Sequence, residues 1–149
     1  MRRRLSTKLT PQTLEFIVPG SAQTKGSTRM VPTAYSGTRI ISANPKLKDW
    51  EEDVAWAAQE AMLKGHIGQF SGAVRVIATF FLPRPKSVPL SVRYHVRRLD
   101  LDKLLRAIND AMTGIVYVDD QQVVDLVGYK RYALTAPHVS ISVAQLVEP

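Results

Sequence analysis

From Thr13 to Gly20 the chain reads TLEFIVPG, an alternation of apolar and polar positions that predicts a strand closed by Pro19 and Gly20. SAQTKGSTRMVPTAYSG follows; rich in Ser, Thr and Gly, it reads as a basic loop carrying Lys25 and Arg29. GTRIISA suits a short strand, and ANPKLKDWEEDVAWAAQEAMLKG has the spacing of a helix over 45–64. There Asn44 fits the N-cap, Pro45 the first helical position, and the acids that follow suit the early turns, where the helix dipole favours them. Trp50, Val54, Ala57, Ala58, Ala61 and Met62 share one face, which turns Glu51, Glu52 and Asp53 toward solvent. GAVRVIATFFLPRP, rich in β-branched and aromatic residues and closed by prolines, predicts a central strand over 72–85. DLDKLLRAINDAMTG predicts a second helix over 101–113, with Asp100 as N-cap and Gly114 as its stop. QVVDLVGYKRYAL and HVSISVAQL alternate as strands about a turn at Thr135 to Pro137. The fold class is α/β (α+β): one domain spanning 1–149, with a mixed sheet against two main helices and a basic, flexible segment over 1–12.

Charge narrows the function. Twenty Lys and Arg against thirteen Asp and Glu give a net charge of +7, which points to a polyanionic partner, nucleic acid before a membrane surface, since no basic amphipathic helix stands out. There is no cysteine, so thiolate metal sites and thiol nucleophiles are excluded and any metal takes oxygen or imidazole ligands. His66, His95 and His138 have no ligand spacing between them. Trp50 reads as core and Trp56 as helix surface. No apolar run is long enough for a membrane span, and the expected location is the cytoplasm.

The basic residues are spread, but the acids are not. Residues 61–99 hold seven basic residues and no acid, then Asp100, Asp102, Asp110, Asp119 and Asp120 follow in close order. A helix of about thirteen residues is ~20 Å long, and the stretch from Ile115 to Asp120 reaches at most ~20 Å. Asp119 or Asp120 can therefore return to the helix start, whereas Asp110 lies ~12 Å down the helix from Asp102 and reads as a surface or capping acid. Gathered carboxylates repel unless a cation neutralises them, and oxygen-only ligands select a hard divalent ion. Carboxylates inside a basic surface suit metal-assisted phosphodiester hydrolysis. Each element also has a plainer reading: Asp100 as an N-cap, Asp119-Asp120 as a polar turn, and Arg106 as an i,i+4 partner of Asp102.

LDLDKLLRAINDAMTGIVYVDDQQVVDL resembles the signature of the RusA-type Holliday junction resolvases: Asp-Leu-Asp-Asn-Leu, a Lys one turn later, an Asp-Ala-Leu segment, then Tyr-x-Asp-Asp-x-Gln-Val-Val. PGSAQTKGSTRM more loosely resembles the family's early Pro-x-x-x-x-Lys-Gly-x-x-Arg loop. The resemblance implies a homodimeric endonuclease that cuts four-way DNA junctions with paired nicks, uses Mg²⁺ with Mn²⁺ as a substitute, needs no small-molecule cofactor, and is commonly phage or prophage borne. By position it makes Asp100, Asp102 and Asp120 the catalytic metal-binding acids, with Asp119 a neighbouring acid. Arg106 stands where the family usually has a catalytic Lys, and Lys103 replaces an Asn beside the metal. Lys25, Arg29, Arg84, Lys86, Arg93, Arg97, Arg98 and Lys103 are the expected DNA contacts. The rival readings are a junction-binding protein weakened in catalysis by the changes at 103 and 106, and a nuclease of the same chemistry preferring forks or flaps.

Overall fold

The computed structural model describes residues 10–26, 28–35, 37–42 and 44–149; the side chains of Thr28, Arg29 and Ser42 also fall outside the description. Among these residues, six strands and two helices follow in the order β1 (Thr13–Pro19), β2 (Thr28–Pro32), β3 (Thr38–Ser42), α1 (Leu47–Gly65), β4 (Val74–Leu82), α2 (Leu101–Met112), β5 (Val123–Tyr132) and β6 (His138–Gln145), with a short 3-10 turn at Asp120–Gln122. The main sheet has the order β1-β6-β4-β5. β4 and β5 run parallel and the other pairs antiparallel, so the sheet is mixed as expected. β2 and β3 form a separate hairpin.

Alternation along β4 explains which face is covered. Val74, Val76, Ala78, Phe80 and Leu82 are buried and their neighbours are not. Those five join Val139, Ile141 and Val143 of β6, Leu14 and Val18 of β1, and the apolar stripes of both helices in one core. Trp50 and Val54 come from α1; Leu104, Ile108 and Met112 come from α2. Trp56 is exposed, as its position on the helix predicted. α2 lies close to β5 because Gly128 has no side chain there: a Cβ would sit 2.8 Å from Leu105 Cδ1 and 3.1 Å from Leu101 Cδ1.

Three local expectations are corrected. α1 starts at Leu47, not Pro45, because Asn44 is occupied elsewhere: its amide donates to Gln23 Oε1 at 2.9 Å while its Oδ1 accepts from the Lys46 amide. The stretch read as one loop from Ser21 contains strand β2. Glu51 faces Lys25 across the helix pair and not bulk solvent. The basic segment expected to be flexible, 1–12, lies largely outside the described residues; Gln12 is tied to β6 through its carbonyl.

Candidate functional site

α2 carries the acids, and its two ends differ. At the N-terminal end Asp100 takes the N-cap position with extended backbone and makes no side-chain cap bond, so its carboxylate remains available. Lys103 Nζ stands 3.5 Å from Asp100 Oδ2. Asp102 and Arg106 are exposed one turn apart. A small cleft of about 200 Å³, lined by Thr24, Arg98, Leu99, Asp100 and Lys103, opens at this end. The helix N-terminus adds its own positive field to those cations.

The bend that delivers Asp100 is strained. Leu99 has φ 86°, a region costly for a residue with a branched side chain. Lys130 holds it there: its ammonium donates to the carbonyls of Arg97 and Leu99, both at 2.8 Å. Sequence reasoning missed this residue, since a lysine inside a strand carries no visible link to a loop more than thirty positions earlier.

At the C-terminal end the chain turns sharply. Gly114 donates to the Tyr117 carbonyl at 2.7 Å, and buried Tyr117 sends its hydroxyl to the Asn109 carbonyl at 3.2 Å. Burial, then the charges of Asp120 and Asp110, hold the Tyr117 phenol well above its ordinary range, so it stays a donor. Gln122 ties the next segment down: its Oε1 accepts from the amides of Val118 and Asp119, while its Nε2 donates to the carbonyls of Phe70 and Gly72. Asp119 and Gln122 form a reciprocal capping box. Asp119 is held below the usual carboxylate range by the Gln121 amide and then by Asp120. Asp120 is pushed above it, first by sharing a hydrogen bond with Asp119, then by desolvation and by the charges of Asp119 and Asp110.

Asp120 therefore neighbours Asp110, not Asp100. From there β5 runs back past α2, with Gly128 against Leu101 and Leu105 and Lys130 at Leu99. The expectation that Asp119 or Asp120 returns to the helix start, putting the acids at one end of α2, is corrected: the chain has the length to do so but spends it in the hydrogen-bonded turn at Thr113–Tyr117. Asp110 is no idle surface acid either. Lys25 Nζ lies 2.9 Å from Asp110 Oδ2 and 3.1 Å from Glu51 Oε1, bridging α2 to α1. Burial alone would lower the Lys25 pKa, but hydrogen bonds to Asp110 and then Glu51 outweigh it and raise it above 10.5. Among the described residues no three His, Asp or Glu side chains of one chain are placed to hold a metal ion.

The basic residues divide as well. Lys25 is occupied by its two acids, and Arg84 donates to the carbonyls of Ala133 and Val92, at 3.2 and 2.7 Å, and to that of Pro89. Arg84 pins the 85–92 loop. Lys86, Arg93, Arg97 and Arg98 are exposed, and Lys103 is half-buried beside Asp100. The Arg29 side chain lies outside the described residues.

A mixed sheet with helices on one face carries carboxylates near both ends of one helix and exposed arginines just before it in a strongly basic chain, an arrangement suited to a phosphate-handling nucleic-acid hydrolase. The family model described as Endodeoxyribonuclease RusA matches residues 19–144, and the chain belongs to that family of crossover-junction endodeoxyribonucleases. No curated protein matches the chain. No helix among the described residues is long and apolar enough to cross a membrane.

Proposed function

We propose that this endonuclease resolves four-way DNA junctions as a metal-dependent homodimer whose active sites are each completed by the second copy. The observation that carries this reading is the separation of Asp100 and Asp102 from Asp120 along α2, combined with the outer edge of β5, which is open before Arg131. β5 is the last strand of the main sheet; the chain's own Arg93 and Tyr94 meet its outer edge at Tyr132 and Arg131, and before that point its exposed Val124 and Leu126, with Val118 upstream, offer apolar surface. Two β5 strands pairing antiparallel about a two-fold axis near Leu126 would carry Asp120 of the partner subunit toward Lys130 and the Asp100 bend. Asp100 and Asp102 from one protomer and Asp120 from the other would then hold Mg²⁺, or Mn²⁺ in its place. A divalent ion there supplies Lewis acidity to the scissile phosphate and lowers the pKa of water.

The chain's own residues do the rest. Lys103 and Arg106 stand on α2 beside the acids, where they offset charge on the phosphate; the planar Arg106 fork can grip two of its oxygens. Arg97 and Arg98 sit on the strained approach to Asp100 and hold the strand that enters. Lys86 and Arg93 serve the arms.

Mixing two inactive variants tests the shared site. Asp102→Asn and Asp120→Asn each lose cleavage of a labelled four-way junction. After mixing and re-equilibration, heterodimers retain one intact site, and about a quarter of all sites become competent. A mixture as inactive as its components places each site within one chain. Tight junction binding with no metal-dependent product from the unsubstituted protein moves the reading to a non-catalytic junction binder.

A further inference from the structure

The face of the sheet opposite α1 and α2 is bare. Register places Ile77, Thr79 and Phe81 of β4 beside Val127, Tyr129 and Arg131 of β5 on that face, and no helix among the described residues crosses it. Where these strands end, the proline-rich loop after β4 folds against them. The Tyr132 amide bonds the Arg93 carbonyl at 2.9 Å, and Arg84 fixes the loop from beneath. Between loop and sheet lies a cleft of about 570 Å³, lined by Phe81, Leu90, Arg93, Tyr129, Arg131 and Leu134 with their neighbours, and by no carboxylate.

The cleft has an unusual wall. The Arg131 guanidinium, which lines it, lies 5.4 Å from the ring centroid of Tyr129, also in the lining, and 4.7 Å from that of Tyr94 just outside it. Tyr94 is 65% exposed and Tyr129 43%, which leaves ring surface open. Arg93 at the mouth makes no ion pair among the described residues. Open π surface interleaved with guanidinium groups suits a nucleobase and its phosphate together. An apolar protein segment would leave those cations without partners, and an acidic peptide would leave the rings uncovered.

We propose that this cleft takes an unstacked nucleotide of the DNA substrate, its base against Tyr129 and its phosphate on Arg93. The inference rests on the chain's being a DNA endonuclease and adds a second contact on the face away from the acids. Location supports it: Arg93 and Asp100 are joined by a segment spanning at most ~25 Å, and that segment carries Arg97 and Arg98. A strand leaving the Asp100 cleft can follow these arginines around the sheet edge to the bare face.

The test is binding of a short fluorescein-labelled oligothymidylate, followed by anisotropy in EDTA, beside a duplex of equal length. Tyr129→Ala should weaken oligothymidylate binding on the order of tenfold and leave duplex binding within about twofold. Tyr129→Phe, which keeps the ring, should bind like the parent. Arg93→Ala should flatten the salt dependence by about 0.7 of a slope unit, one phosphate on a single strand. Parent-like binding by both Tyr129→Ala and Arg93→Ala, or equal loss on oligothymidylate and duplex, overturns the proposal. Junction cleavage with Mg²⁺ is run on the same preparations. Its absence in the parent sinks the nuclease reading, whereas the fate of the cleft is decided by the oligonucleotide alone.

Discussion

At its C-terminal end α2 runs into a net of hydrogen bonds: Tyr117 to Asn109, Gln122 to four backbone groups, Asp119 to the turn that follows. At its N-terminal end Asp100 and Asp102 stand with little support, reached through a strained leucine that one lysine restrains. The contrast shows how one helix serves two needs. One end is a rigid mount that fixes Asp120 in space, and the other is an open mouth into which substrate and ion can settle. In the proposed dimer, rigidity is invested where an acid is offered outward to a second copy.

Substitutions at the two ends should therefore fail differently. The largest effect is expected from Asp102→Asn, which should cut the rate of junction cleavage by on the order of 10²–10³ while junction binding and thermal stability hold. Leu126→Lys would put like charges face to face at the proposed β5 edge and should shift the protein to monomer in sedimentation, with cleavage falling about 100-fold and the circular dichroism spectrum unchanged. If that variant stays dimeric and active, the interface lies elsewhere. Gln122→Ala leaves four backbone groups to find other partners and should cost about 1–3 kcal/mol in denaturant unfolding, with a lower kcat because Asp120 is no longer fixed. Lys25→Met removes a partly screened double ion pair and should cost about 1 kcal/mol. Because the Lys25 pKa is raised, its contribution is complete below pH 10.5 and lost only as pH climbs through the folded value, so the difference from the parent should be flat across neutral pH. His95 gives the smallest effect. Burial, then Lys130 and Arg97, lower its pKa, so its contribution is complete above pH 6.5 and declines as pH falls below that; a small acid-side loss of stability should vanish in His95→Phe.

Much of this arrangement was legible in the residues. The stripe from Leu101 to Met112 marked α2 and its buried face to within a residue, and the apolar run of β4 marked the centre of the sheet. The family resemblance carried by Asp100, Asp102 and the Asp119-Asp120 block was correct. The relative placement of those acids was not legible. Contour length bounds how far a segment can reach and says nothing of where it turns, and the turn at Gly114 depends on a tyrosine hydroxyl meeting the Asn109 carbonyl. The bridge from Lys25 to Glu51 and Asp110 joins three distant stretches that no local period connects. Arg84 shows the same limit from the other side: its charge suggested DNA, yet two of its nitrogens are spent on backbone carbonyls, one on Ala133 after β5 and one on Pro89 and Val92 of its own loop.

The strand order β1-β6-β4-β5 has a consequence for synthesis. β6, the last of these strands to leave the ribosome, lies between β1 and β4 and pairs with both. Until it arrives, each of those strands has an unmet edge, and Leu14 and Val18 lack the β6 side of their core. At ~5–20 residues per second, the nascent chain spends seconds with its helices made and its sheet open. The emergence of β6, and not any earlier checkpoint, is when this sheet can close.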